Sequence, residues 1–347
     1  MKRTVFRGSA AALVTPMRED GSVDAEALAA LADAHEAAGT DALAVGAYTG
    51  EGDSLTVGER LEAVACCRRR TRGRLPILAG ASGPDALEIA AWARAAGADA
   101  VLLEPPASLL SQESLFRYIA AAADTAGLPV LVQGAGRRGR RISPRTYRRL
   151  SALPNVCGAV EDGTDIARIA DIRAACGGSL AVYSSGDGET AAVLALGGKG
   201  VVSALANLVP EETHRLCFSF FRGDAALCQQ DQLYWLPLIR ALGRSPVLVK
   251  EALRLAGKSA GPCRSGSPLP VSARVKLRRA LSDAGLLSRG EALPIFLGCS
   301  LGSRPGRHRS SFPAERAGQA SRAAGRLPER KSPRCLRIPF LRGFGLV

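Results

Sequence analysis

The strongest constraint on this chain is a strand–helix alternation that repeats eight times within residues 1–223. Short apolar segments of four or five residues, a length typical of buried parallel strands, alternate with longer segments that carry apolar residues at helical spacing. The predicted strands are 11–15, 42–46, 76–79, 100–103, 129–132, 156–160, 181–184 and 200–203. Eight strands that alternate with helices predict an α/β fold, a parallel (βα)8 TIM barrel wrapped by its helices.

Proline and glycine mark the boundaries of the helices in this pattern. Pro144 and Pro210 stand at predicted helix starts, where a missing N–H group costs nothing, and Gly97 and Gly127 stand at helix ends. Three further predicted helices follow, at 225–242, 246–255 and 271–284. We expect these three to form a C-terminal helical appendix that packs on the barrel.

The net charge is concentrated at the end of the chain. Of the formal charge of +14, residues 289–347 supply +9, because they hold 12 Lys and Arg against three acidic residues. The segment is rich in Arg, Gly, Pro and Ser and lacks apolar periodicity, a composition typical of disorder. It has no interleaved aromatic platform, so no nucleic-acid partner is expected. We interpret its composition as the result of a shifted or extended reading frame. The predicted regions are therefore a barrel at 1–223, the appendix at 224–288 and a disordered basic tail at 289–347.

Other features exclude whole classes of protein. No apolar run approaches the roughly 20 residues of a membrane helix, and residues 1–6 begin basic without the apolar stretch of a signal peptide. We therefore expect a cytoplasmic protein with no membrane partner. The nine cysteines are scattered without a CxxC pair and there are three histidines, so free thiols are expected rather than a metal site. No cofactor is expected.

In a parallel barrel, chemistry belongs to the C-terminal ends of the strands, where the βα loops meet. Four carboxylates fall at these predicted strand ends: Glu104, Glu161, Asp162 and Asp187. Carboxylates at a barrel mouth can hold a divalent cation, but without supporting histidines we interpret them as solvated rim charges.

Several segments in this order resemble one family. They are Leu-Val-Thr-Pro at 13–16, Thr-Gly-Glu at 49–51, Leu-Ala-Leu-Gly-Gly-Lys-Gly-Val-Val-Ser at 194–203 and Val-Lys-Glu-Ala-Leu at 249–253. Together they resemble the family of 4-hydroxy-tetrahydrodipicolinate synthase and N-acetylneuraminate lyase, with the synthase branch nearer. The resemblance spans about residues 4–287. Each motif is weak evidence by itself, but all of them occur in the order and at the spacing that the family shows, which is strong evidence for the fold.

The resemblance implies a Schiff-base lyase acting on pyruvate. In such enzymes a lysine at the end of strand six forms the Schiff base, a tyrosine at the end of strand five relays protons, and an arginine after strand five holds a substrate carboxylate. Matched residue by residue, the lysine position is Val160 here, and the tyrosine position is Val132 or Gln133. The arginine has a match in Arg137, which is therefore a candidate substrate-binding residue.

The loop after strand two departs from the family pattern at its first threonine, which is Tyr48 here, whereas the second is kept as Thr49. Tyr48 either supplies a phenol hydroxyl to the pocket or fills space left by missing tyrosines. Both loop residues are candidate catalytic residues, while Val160 and Gln133 occupy catalytic positions without competent side chains. Thr49 and Ser203 are candidate substrate-binding residues, with local hydrogen bonds at strand ends as the alternative.

The loss at Val160 is chemical, because a Schiff base needs a nitrogen nucleophile that can attack a carbonyl. Losing the proton relay by itself costs a factor of about 10² to 10⁴ in rate. The chain has six lysines, and none is predicted to substitute. Lys199, for example, precedes strand eight and should lie at the opposite end of the barrel from the pocket.

Three functional hypotheses remain open at this point. The chain is a homologue of the synthase, which joins pyruvate to aspartate semialdehyde on the lysine pathway, and its own activity is lost or altered. Alternatively it is a catalytically silent scaffold, or a binder of a small 2-oxo acid or other carboxylate, that forms homo-oligomers or pairs with an active paralogue. The third hypothesis is a decaying gene product with no selected role.

Overall fold

The computed structural model describes residues 4–109, 111–134, 141–258, 260–264 and 266–288, and its eight strands form a closed parallel barrel. The strands are β1 (Gly8–Ala12), β2 (Ala42–Val45), β3 (Ile77–Ala81), β4 (Ala100–Leu103), β5 (Val130–Gln133), β6 (Val156–Glu161), β7 (Ala181–Ser184) and β8 (Gly200–Ser203). Each strand pairs with the next one, and β8 closes the ring on β1. The predicted (βα)8 barrel is therefore confirmed.

Eight helices follow the strands and three more form the appendix. The barrel helices are α1 (Ala25–Ala37), α2 (Val57–Thr71), α3 (Ala86–Trp92), α4 (Gln112–Ala126), α5 (Pro144–Leu150), α6 (Ile166–Cys176), α7 (Thr190–Ala195) and α8 (Pro210–Phe221). The appendix comprises α9 (Ala225–Leu242), α10 (Pro246–Leu255) and α11 (Val271–Asp283). Short 3₁₀ turns follow β2, β7 and β8, so these strand ends turn sharply at the barrel mouth.

The first strand and the third helix differ most from the sequence prediction, whereas the other boundaries shift by at most one or two residues. The first strand is Gly8–Ala12 rather than 11–15, because its register against β8 begins at Gly8 opposite Gly200. The apolar residues that follow close the mouth instead, and the Val14 N–H donates to the Asn207 side chain at 3.0 Å. Helix α3 ends at Trp92, several residues before the helix end predicted at Gly97, and the chain then turns through Gly97 at φ 91°.

The barrel interior is closed at the N-terminal ends of the strands. Phe6, just before β1, stacks on Tyr183 with ring centroids 4.4 Å apart, and the Tyr183 hydroxyl donates to the Phe6 carbonyl at 2.8 Å. Around this pair the wall facing the barrel axis is built from small residues on β1 and β2, such as Ala10 and Ala44, and larger ones on other strands, such as Leu131. The interior is therefore filled at this end, and open space lies toward the C-terminal ends.

The appendix covers part of the barrel mouth. Trp235, Leu238 and Leu253 of the appendix share a buried cluster with Val14 and Leu205 of the mouth loops. Each fully buried side chain of this size contributes about 1.5–3 kcal/mol, so the cluster fixes the appendix on the loops that form the site. Among the described residues, no helix is both long and apolar enough to cross a membrane.

Candidate functional site

A small cavity lies where the C-terminal ends of the strands meet, and we refer to it as the mouth cavity. Its volume is about 40 Å³. It is lined by Ala12, Ala47, Tyr48, Thr49, Leu102, Gln133, Val160, Ser185, Val202, Ala204 and Arg244. The lining residues come from seven βα units and from the appendix, so the folded barrel brings together positions that are 232 residues apart in the chain.

The floor of the mouth cavity is apolar. Val160 on β6 is 1% exposed and belongs to the same buried cluster as Ala12, Leu102 and Val202. Because side chains alternate along a strand, the flanking Ala159 belongs to the other cluster, between the barrel and its helices. The position that the resemblance assigns to a Schiff-base lysine therefore faces the cavity and carries an isopropyl group.

The polar part of the cavity begins at the end of β5. Gln133 lies directly opposite Val160 in the β5–β6 register and lines the cavity, whereas Val132 packs outward against the helices. Of the two residues that could match the family tyrosine, Gln133 is thus the one at the cavity. Its amide can donate and accept hydrogen bonds but does not exchange protons near neutral pH.

The turn after β2 supplies two more cavity residues, Tyr48 and Thr49, from the 3₁₀ helix Tyr48–Gly50. A tight backbone packing holds this turn: the Thr15 hydroxyl donates to the Gly50 carbonyl at 2.7 Å, and a Cβ at Gly50 would lie 2.6 Å from the Leu13 carbonyl. Tyr48 also lines a second, wider cavity of about 650 Å³ with Asp53, Ser82 and Glu104. It therefore stands at the boundary of the two cavities.

Glu51 follows this turn and is clamped by the appendix. Its backbone is left-handed at φ 56°, and its carboxylate lies 2.6 Å from the Lys250 ammonium, with both side chains almost fully buried. The Arg264 N–H donates to the same carboxylate at 2.8 Å, and the Lys250 ammonium also donates to the Pro262 carbonyl at 2.7 Å. Lys250 is thus engaged outside the mouth cavity and lines a separate cavity beside α10. We refer to Glu51, Lys250 and Arg264 as the loop clamp.

Arg244, in the connection between α9 and α10, is the cavity residue that the sequence pattern did not predict. Its guanidinium donates to the Ser185 carbonyl at 3.1 Å and to the Ser185 hydroxyl at 3.0 Å, and it reaches Asp162 at 3.4 Å. The sequence signals a break between two helices here, at Gly243, but gives no sign that the connection folds over the barrel mouth.

Ser203 and Arg137 are the remaining predicted site residues. The Ser203 hydroxyl donates to the Asp187 carboxylate and accepts from the Ala206 N–H at 2.9 Å, and Ser203 is not among the cavity-lining residues. Arg137 lies outside the described residues. The substrate-binding roles of Arg137, Thr49 and Ser203 stay predictions.

Two of the four predicted rim carboxylates, Asp187 and Glu161, are buried in hydrogen-bond networks rather than solvated, which corrects our interpretation of them. Asp187 accepts from the Ala204 and Leu205 N–H groups, both at 3.1 Å, and burial raises the pKa of Asp187 despite these donors. Glu161 is fully buried and accepts from the Tyr147 hydroxyl at 2.6 Å and from Arg168 at 3.1 Å. Burial, followed by the Glu161 charge, raises the pKa of Tyr147 well above its usual value.

These networks orient the strand ends instead of exposing carboxylates to the cavity. Of the described residues that line the mouth cavity, none is acidic. The described part of the chain also contains no group of three or more His, Cys, Asp or Glu side chains that could hold a metal ion.

Comparison with known proteins supplies the relatives of this fold and site. Residues 5–284 match the model of the Dihydrodipicolinate synthetase family. The 4-hydroxy-tetrahydrodipicolinate synthase of Clostridium perfringens is 35% identical over 267 residues, which is 75% of this chain and 91% of the relative. The synthase of Ralstonia nicotianae is 35% identical over 293 residues, which is 82% of this chain and 100% of the relative.

Solved structures give the same result at the level of the fold. The chloride-inhibited dihydrodipicolinate synthase from Acinetobacter baumannii, complexed with pyruvate, aligns with a TM-score of 0.77 and 31% identity. The alignment covers 82% of this chain and 100% of that one.

Proposed function

Because the chain belongs to the dihydrodipicolinate synthetase family, we propose that it binds a small 2-oxo acid in the mouth cavity without forming a Schiff base. The observation that carries this proposal is Val160, which faces the cavity at the end of β6 with a side chain that has no lone pair. Binding would persist, because the cavity keeps its place in the barrel and its polar rim. Covalent catalysis would be absent.

The chemistry of imine formation supports this part of the proposal. A carbonyl carbon is attacked by an unprotonated amine, and burial lowers the pKa of a lysine enough to supply one. None of the described residues that line the mouth cavity carries an amine. The buried Lys250 is held by Glu51 at 2.6 Å in the loop clamp, so its ammonium is paired and kept from attack.

The residue at the proton-relay position also disfavours catalysis. Gln133 replaces a titratable phenol by an amide, which can donate a hydrogen bond to a carbonyl oxygen but cannot act as an acid or a base at neutral pH. Tyr48 brings a phenol to the cavity from the turn after β2. The set of Gln133, Tyr48 and Thr49 therefore suits recognition of a polar ligand better than proton transfer.

Pyruvate is the reference ligand for this proposal. The relative from Acinetobacter baumannii is complexed with pyruvate, and pyruvate has one carboxylate and one ketone oxygen for the polar rim to recognise. The methyl group of pyruvate would lie on the apolar floor at Val160 and Leu102, as expected for a ligand in a mostly apolar pocket with few polar groups.

The second candidate function is that of a silent scaffold that assembles with copies of itself or with an active relative. The appendix supplies the observation that favours it. Leu233 and Tyr234 on α9 are 59% and 58% exposed, and Val271 and Val275 on α11 are 78% and 61% exposed. Large apolar side chains that remain exposed on neighbouring helices are typical of interaction surfaces.

A trapping experiment separates silent binding from Schiff-base chemistry. The purified chain and a Val160→Lys variant are treated with pyruvate and borohydride, and the intact mass is measured. We expect no adduct on the unmodified chain. We expect one reduced pyruvate on the variant, because an amine at the cavity floor is desolvated and thus activated.

Peptide mapping of the trapped protein serves as the control. An adduct on any lysine of the unmodified chain would contradict the proposal, whether or not the variant reacts. Ligand-detected NMR with pyruvate tests the binding half, and absence of any pyruvate signal change would favour the scaffold instead.

A further inference from the structure

We infer that Arg244 is the cationic anchor of the mouth cavity and that the cavity takes short, singly charged 2-oxo carboxylates. The inference rests on the proposed function, because it names the residue and the ligand class of the same cavity. It differs from the family pattern, in which the arginine after strand five holds the carboxylate. Here the anchor comes from the appendix, in the connection between α9 and α10.

Charge at the cavity points to Arg244. It is the one charged side chain among the described residues that line the mouth cavity, whose other polar groups are an amide and hydroxyls. A carboxylate that enters this space loses hydration, and a guanidinium is the group best suited to replace it, with paired N–H donors. The neutral amide of Gln133, on the β5 side, remains for a ketone oxygen.

The guanidinium is oriented but not saturated. Its Nη1 donates to the Ser185 carbonyl and hydroxyl at 3.1 and 3.0 Å, and its Nη2 reaches the Asp162 carboxylate at 3.4 Å. A guanidinium has five N–H groups, so within the described part of the chain the Nε–H and one Nη2 N–H remain for a ligand. The side chain is 37% exposed, so these donors are accessible.

The backbone at Arg244 is held in an unusual conformation. Its φ is 64°, and Gly243 before it has φ 53°, so two consecutive residues are left-handed. Side chains with a Cβ disfavour this region, and residues held in it cluster at ligand clamps. A hydrogen bond from the Ser245 N–H to the Leu242 carbonyl at 3.1 Å closes the turn around Arg244. The turn thereby directs the arginine side chain toward the ends of β6 and β7.

The size of the cavity sets the ligand class. One water needs roughly 10–15 Å³ of such space, so a cavity of about 40 Å³ encloses roughly three or four non-hydrogen atoms. That is the methyl and ketone end of a 2-oxo acid, and the carboxylate would lie at the opening, beside the partly exposed Arg244. A short aliphatic tail would fill the space above Val160 while the carboxylate remains at Arg244. A second carboxylate on the ligand would meet no second cation in the described lining and would face Asp162 beside Arg244.

The test compares Arg244→Gln with a matched control, Arg240→Gln. Arg240 lies one turn earlier on α9 and lines a neighbouring cavity of about 390 Å³, but it does not line the mouth cavity. Titration calorimetry measures pyruvate, 2-oxobutyrate and oxaloacetate against the unmodified chain and both variants, and thermal unfolding verifies the fold. An Arg244→Gly variant removes the guanidinium without straining the left-handed backbone.

We expect Arg244→Gln and Arg244→Gly to weaken pyruvate binding at least about tenfold, the effect of losing a charge-assisted hydrogen bond. Arg240→Gln should leave pyruvate binding unchanged, and oxaloacetate should bind more weakly than pyruvate throughout. Equal pyruvate affinity in the unmodified chain and both Arg244 variants would overturn the inference and leave the proposed function standing. The inference also fails if Arg137→Gln, and not Arg244→Gln, abolishes binding. An unmodified chain that binds none of the three acids overturns the proposed function itself.

Discussion

The turn after β2 and the ends of β5 and β6 border the same cavity, yet they hold their residues in place by opposite means. At the turn, the loop clamp buries an ion pair of Glu51 and Lys250 beneath the appendix. At the strand ends, Gln133 and Val160 are held opposite each other by sheet pairing, and Val160 packs in an apolar cluster. The clamp joins the segments at 49–51 and 249–253, whereas the two strand ends carry an amide and an isopropyl group. The contacts that hold the mouth of the barrel are thus separate from the side chains that line the floor of the cavity.

The sharpest test of this contrast removes one partner of the clamp. Lys250→Met leaves the Glu51 carboxylate buried without its cation, so we expect a loss of about 3–5 kcal/mol in the free energy of unfolding, measured by urea denaturation.

Arg254→Met is the control for this change, because Arg254 pairs with Glu251 from a side chain that is 54% exposed. Its cost should stay within about 1 kcal/mol. Equal losses in the two variants would show that the clamp does not support the mouth.

A smaller effect is expected at the strand end. Val160→Ala removes two methyl groups from the cavity floor, at about 0.8 kcal/mol for each buried carbon, and the cost should be about 1–2 kcal/mol in the same urea assay. The Val160 position should therefore tolerate change better than Lys250. Should Val160→Ala cost more than Lys250→Met, the assignment of stability to the clamp would be reversed.

The smallest expected effect is the pH-dependent contribution of the Arg264 side chain to the free energy of unfolding. The hydrogen bond from Arg264 lowers the pKa of Glu59 from 4.5 to about 2. Since the folded pKa is depressed, this contribution is complete above pH 4.5 and is lost as the pH falls toward 2. We expect Arg264→Gln to remove about 1 kcal/mol or less at pH 6 and to remove less at pH 3.

Urea denaturation at the two pH values measures this difference. Arg279→Gln is the matched control, because its contact with Asp283 spans 3.9 Å and its side chain is 82% exposed. An Arg264→Gln effect that does not depend on pH would rule out the Glu59 carboxylate as its origin.

The sequence predicted the barrel because each strand and helix carries its own apolar period and its own turn residues, as at Pro210 and Gly127. It misplaced β1 because residues 13–15 are as apolar as a strand, and only the pairing of Gly8 with Gly200 sets the register. It identified Val160 as a position in the pocket through the family resemblance, and the structure puts Val160 at the cavity.

Arg244 shows what the sequence could not provide. Nothing in Gly243-Arg244-Ser245 distinguishes it from an ordinary helix connection. Its position at the mouth follows from the packing of Trp235 and Leu238 on the barrel loops. The same limit applies to Asp187 and Glu161, because their donors Ser203 and Tyr147 come from neighbouring βα units, 16 and 14 residues away in the chain. Contacts between different elements of the fold, rather than local sequence patterns, determine the surroundings of these residues.

The stacked pair of Phe6 and Tyr183 has a kinetic consequence. Because this pair fills the N-terminal end of the barrel, a small molecule bound above Val160 under the proposed function would enter and leave through the C-terminal ends of the strands. A substitution that narrows this opening without touching the bound molecule would then slow entry and exit by the same factor. It would change the residence time but not the equilibrium occupancy.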